Sequence, residues 1–177
     1  MKEDSEMESV ADWISRTDVS LTRWMAHHGV RALRVSLGLV FFWFGVLKFF
    51  PGLSPAQDLA TRTIDVLTFG MIPSTVSIPI LATWECVIGL GLITGWFVRA
   101  TLFLLFAQMV GTVTPLFLFP HETFTQFPYA PTLEGQYIIK NIVLATAAIV
   151  IGATVRGGYL TADPGTHDVL KGRGHGI

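Results

Sequence analysis

Residues 100–119 read ATLFLLFAQMVGTVTPLFLF, 20 residues without a formal charge. At about 1.5 Å per residue, a helix of that length crosses the roughly 30 Å hydrocarbon core of a bilayer. The rest of the chain agrees with a membrane reading. Of its 177 residues, 51% are apolar and only 14% charged, against about 25% charged in soluble domains. The charges are also segregated, with six of the thirteen acids in the first eighteen residues and long tracts nearly bare of charge.

Working outward from that stretch, three more segments have the length to span. Residues 30–50 start with Arg31 and Arg34 and end near Lys48; residues 78–97 are apolar apart from Glu85; residues 136–155 carry Lys140 near their start. Long basic side chains near a span end reach back to the interface. The expected fold class is all-α, an integral membrane four-helix bundle preceded by an amphipathic interfacial helix. Residues 1–29 form that amphipathic segment, 30–156 the bundle and 157–177 a tail.

Basic residues near span ends orient the chain. Lys2, Arg16, Arg23, Arg31, Arg34, Arg99, Arg156, Lys171 and Arg173 share one side, whereas only Lys48, Arg62 and Lys140 fall toward the other. Both termini are therefore expected in the cytoplasm of a bacterial cell, with the protein multi-pass in the inner membrane. The first thirty residues contain no apolar core of signal-peptide type, so the first span reads as a retained anchor.

The connecting segments carry their own signals. Val10, Trp13, Ile14, Thr17, Leu21 and Trp24 recur at helical steps, an apolar face for the cytoplasmic leaflet that ends near Gly29. Ser54-Pro55-Ala56-Gln57 reads as a helix start, with Ser54 as N-cap and Gln57 closing a capping box. Leu59, Ile64 and Leu67 would line the apolar side of that helix, lying on the outer surface. The loop from Pro120 to Pro131 holds three prolines and boundary aromatics and reads as irregular.

Charged groups inside spans are costly, face the bundle interior and seek partners. From the span limits, Glu85 lies about 10 Å below the outer boundary, Lys140 about 6 Å and Lys48 about 3 Å. Burying Glu85 at the bundle axis, with Lys140 or Lys48 as counter-charge and Gln108 or Asn141 completing its hydrogen bonds, costs least. Each member also has a plainer reading. Both lysines suit snorkelling anchors, Gln108 suits an interhelical hydrogen bond, and Glu85 suits either a pocket or a structural ion pair. The pairs Gly91/Gly95 and Ala148/Gly152 suit close helix packing.

Several function classes are excluded. A net charge of −1 offers no field for nucleic acid. One cysteine, Cys86, forms neither a disulfide within the chain nor a zinc cluster. All five histidines lie outside the spans, against a paired haem site across the bundle. No metal site, nucleotide fingerprint or catalytic triad is legible. Whether the protein is an enzyme is not written in these residues.

The stretch RVSLGLVFFWFGVLKFFP, residues 34–51, resembles the first helix of DoxX-like membrane proteins. It is closer still to the neighbouring inner-membrane family of YkgB-type and reactive-chlorine-resistance proteins. Glu85-Cys86-Val87-Ile88-Gly89, Thr114-Pro115-Leu116, and Phe127-Pro128-Tyr129 leading to Gly135 and Lys140-Asn141 match in the same order. The resemblance implies a four-helix bundle associated with redox or oxidative stress, and Lys48, Glu85, Gly135 and Lys140 fit its pattern. Where the nearer family often carries an aspartate, this chain has Asn141.

The leading expectation is an accessory redox or oxidative-stress component with a pocket in the outer half of the bundle for a quinone-like or other small polar molecule. Glu85 and Lys140 would supply hydrogen bonds, and Trp43 and Trp84 aromatic walls. No cofactor is fixed by these residues, a quinone being the candidate. The alternatives are a scaffold recruiting a cytoplasmic or membrane redox partner through the amino-terminal helix, and a small-molecule transporter. The absence of broken central helices or an inverted repeat counts against the transporter.

Overall fold

The computed structural model describes residues 2–54 and 57–162, and among them the side chains of residue 13 and of residues 16 onward. The chain divides into two compact units, Met1–Ala32 with Arg156–Ile177, and Leu33–Val155. Among the described residues, four helical segments are long and apolar enough to cross a membrane: Arg16–Leu47, Ser74–Thr94, Val98–Leu118 and Leu133–Thr154.

Helix α1 runs Lys2–Leu47. Gly29 lies within it, not at its end as expected; a single interior glycine costs a helix only about 1 kcal/mol, too little to end it. In the amino-terminal unit, Trp24 and His28 stack with ring centroids 5.2 Å apart. Val10 and Ile14 of the expected apolar face lie outside the residues whose side chains are described, as does the tail beyond residue 162.

The remaining description concerns Leu33–Val155. Helix α2 spans Gln57–Leu67, the short helix expected between the first two spans. Pro55 and Ala56 of its expected start lie outside the described residues. Gln57 does not close a capping box: its Oε1 is buried without a hydrogen-bond partner. The buried face is Leu59 and Thr63, at i and i+4, while Leu67, in the last turn, is exposed.

Helix α3, Ser74–Thr94, begins after Pro73 and ends on Gly95. Gly95 has φ 76°, and its N–H donates to the Gly91 carbonyl at 3.0 Å, a left-handed cap that only glycine adopts cheaply. This stops the second span three residues before the expected limit of 97 and starts it four residues before 78. Hydropathy locates the apolar middle of a helix, not its capped ends. Helix α4, Val98–Val113, gives way to α5, Pro115–Leu118. Pro115 has no N–H for the Gly111 carbonyl, which instead accepts from Thr114 N–H at 3.3 Å; the hydrogen-bond ladder is interrupted there, while Val98–Leu118 remains one segment of spanning length.

The loop expected to be irregular contains α6, Pro120–Thr123, and an antiparallel pair, β1 Phe124–Gln126 and β2 Ala130–Pro131. Helix α7, Leu133–Thr154, follows. Its N-cap Thr132 accepts at Oγ1 from Gly135 N–H, which moves the fourth span's start ahead of residue 136.

One core joins the spans: Leu37 and Phe41 from α1, Ile88 and Leu92 from α3, Leu102 and Leu105 from α4, and Ala148 and Ile151 from α7. Phe103, Val110, Ile142 and Val143 are exposed, as lipid-facing side chains require. Helices α1 and α3 approach closely. A Cβ on Gly38 would strike the Gly89 carbonyl, one on Gly45 the backbone of Cys86, and one on Gly89 the backbone of Phe42. Without a hydrophobic drive between helices in lipid, such backbone proximity is a main source of packing energy.

Candidate functional site

The α1/α3 crossing places the charged groups. Gly45 lies against the Cβ of Glu85, so α1 ends beside the middle of α3, and Lys48, immediately after Leu47, projects toward the carboxylate. Lys48 Nζ donates to Glu85 Oε2 at 2.6 Å and is 3.5 Å from the Phe44 carbonyl. Gln108 Nε2 on α4 donates to Glu85 Oε1 at 2.7 Å. Three helices thus converge on one carboxylate with both oxygens engaged.

Measured from Ser74, Glu85 lies about 16 Å along the axis of α3, deeper than its sequence estimate because the helix starts earlier. The side chains of Lys48 and Glu85 are only 12% and 10% exposed. At such burial, losing either partner leaves an uncompensated charge in a low-dielectric interior. The donor face of the Gln108 amide is drawn to the anion, which turns Oε1 away; that oxygen is buried and has no partner.

The other expected members are elsewhere. Lys140 is exposed on α7, with Nζ 5.6 Å from the centroid of the Tyr137 ring, and the salt bridge of Glu85 is with Lys48. Asn141 is half-buried and is not a partner of the carboxylate, whose oxygens accept from Lys48 and Gln108. Trp43 is exposed. Trp84 donates from Nε1 to the Leu104 carbonyl at 3.1 Å and lines a shallow apolar groove of about 440 Å³ with Pro79, Ile80 and Leu104. Being adjacent in a helix, Trp84 and Glu85 point about 100° apart, so the groove and the charged cluster occupy different sides of α3.

A second ion pair was not anticipated. Arg62 on α2 donates from Nη1 to Glu122 Oε1 of α6 at 2.6 Å and from Nη2 to Oε2, and its guanidinium lies 5.4 Å from the centroid of Phe119. The Arg62 hydrogen bonds hold the Glu122 carboxyl below its ordinary range, and Glu122 raises the Arg62 guanidinium. Both residues sit in loops between spans, where no periodicity relates them.

The DoxX family model matches residues 29–121, more than half of the chain. The chain belongs to the DoxX family. It is accordingly a multi-pass membrane protein, with four apolar helices of spanning length. Lys48, Glu85 and Gln108 of this DoxX protein all lie in the matched stretch, whereas Lys140, Asn141 and the whole of α7 fall after it. Comparison with curated proteins and with solved structures finds no match.

Proposed function

We propose that this DoxX protein is an accessory redox component of the bacterial inner membrane, of the YkgB-type branch, with Lys48, Glu85 and Gln108 forming the site for a small quinone-like molecule. The observation that carries the reading is Gln108 Oε1, a buried acceptor without a partner next to a charged pair among membrane spans. Intramembrane charges are costly and are retained chiefly for function. A buried acceptor without a donor is also unfavourable by about 1–3 kcal/mol, and a headgroup in its hydroxyl form brings that donor. Glu85 would hold the charge balance of the site through Lys48, and Lys140 and Asn141 are left outside it.

The proposed orientation places both termini in the cytoplasm, with α2 and the β1–β2 hairpin outside. Arg99 in the first turn of α4, and Arg34, whose guanidinium lies against Gly95, support it, since both mark the α3–α4 turn as a basic end. A scaffold role is the second reading. It is favoured by the full occupation of Glu85, because a carboxylate bonded to α1 and α4 also fixes helix register.

Binding decides between them. With the purified protein in lipid nanodiscs, titration with a short-chain quinol should quench tryptophan fluorescence saturably, and Gln108→Leu should weaken binding at least tenfold. Quenching by the wild type that never saturates would leave the scaffold.

A further inference from the structure

Glu85 decides which way the Gln108 amide faces. Lys48 Nζ holds Glu85 Oε2 at 2.6 Å, which leaves Oε1 for Gln108. An ionised carboxylate accepts hydrogen bonds and cannot donate them. The amide therefore turns Nε2 to Glu85 Oε1, at 2.7 Å, and Oε1 away, since the reversed amide would set two acceptors against each other. Among the described residues, Gln108 Oε1 is buried and has no hydrogen-bond partner. The atom left without a partner is an acceptor.

Gln108 stands on a stripe of α4 that borders open space. Leu104, Gln108 and Gly111 follow one another at i, i+4 and i+7, along one face of the helix. Leu104 walls the apolar groove, and a Cβ added at Gly111 would meet nothing within 4 Å. Open space thus lies along α4 one turn to either side of Gln108.

We infer that the site selects the reduced form of its ligand: a hydroquinone donates a phenolic O–H to Gln108 Oε1, whereas the oxidised quinone, whose carbonyl oxygens only accept, is disfavoured. This rests on the quinone reading given above and adds which redox form the site holds. Acceptor facing acceptor leaves both atoms without a donor, which separates the two affinities by about tenfold or more. Glu85 is the positioning residue, because its carboxylate fixes which end of the Gln108 amide is left for the ligand. Replacing that carboxylate by an amide carries a sharp consequence. Lys48 has only donors to offer, so in Glu85→Gln the new side chain keeps its oxygen toward Lys48 and turns its nitrogen to Gln108. Gln108 must then accept, its amide turns over, and Nε2 becomes the end left for the ligand, a donor suited to a quinone carbonyl.

Paired titrations test it. In lipid nanodiscs under anaerobic conditions, calorimetry should show decyl-ubiquinol binding the wild type about tenfold or more tightly than decyl-ubiquinone. Gln108→Leu should bring the two affinities together, and Glu85→Gln should reverse their order. Should Glu85→Gln fail to assemble, the wild-type ratio and its loss in Gln108→Leu still decide. Wild-type affinities that are equal or favour the quinone, a Gln108→Leu variant that keeps the wild-type ratio, or a Glu85→Gln variant whose order is not reversed would each overturn the selectivity and leave the quinone site standing. Saturable binding of neither form by the wild type would remove the site and the selectivity together.

Discussion

Lys48, one residue past the end of α1, and Glu85, in the middle of α3, are joined at 2.6 Å across 37 positions of sequence. Because that contact is buried, its energetics should be strongly coupled. Glu85→Ala should lower stability by roughly 3–5 kcal/mol, whereas the double variant with Lys48→Met should lose less than the sum of the single losses. Lys140→Met, which removes an exposed lysine, should stay within about 0.5 kcal/mol and show no coupling to Glu85. Thermal unfolding of the four variants in detergent measures this. Additive losses for Lys48 and Glu85 would remove the pair from the energetics of the fold.

Two glycines should respond with opposite sign. Gly45 has the backbone of Cys86 where a side chain would go, while a Cβ on Gly111 meets nothing within 4 Å. Gly45→Val should therefore destabilise by about 1–3 kcal/mol through overpacking. Gly111→Ala should stabilise α4 by roughly 0.5–1 kcal/mol. Melting temperatures of both variants against wild type check the two signs.

The Arg62–Glu122 pair predicts a pH dependence. The folded-state pKa of Glu122 is depressed by Arg62, so its contribution is present above the carboxyl's unfolded value and disappears as pH falls through the lower folded value. Arg62 stays protonated throughout. Wild type and Glu122→Gln should differ in melting temperature at pH 7 and converge as the pH falls below the ordinary carboxylate range, and salt should narrow the gap at pH 7 because the pair is exposed. A gap that widens on acidification would reverse the assignment.

Topology is testable with two fusions. A periplasm-dependent reporter placed after His121 should be active and one placed after Ile177 silent, because the basic residues cluster on the side of both termini. The opposite pattern would invert the orientation.

The four spans were legible because uninterrupted apolar runs of spanning length admit one stable backbone in lipid, a helix that satisfies its own hydrogen bonds. Residues 100–119 needed nothing else, and Glu85 stood out as a charge within such a run. What the sequence left open was which lysine meets it. Lys48 and Lys140 look alike by hydropathy, both being basic groups near a span end. Tertiary structure chose Lys48, because Gly38, Gly45 and Gly89 let α1 and α3 meet backbone to backbone and bring the end of α1 to the level of the carboxylate, while the helical phase of α7 leaves Lys140 exposed. The same holds for Arg62 and Glu122, sixty residues apart: local periodicity cannot relate two loops, and only the packing of the spans beneath them fixes where the loops meet.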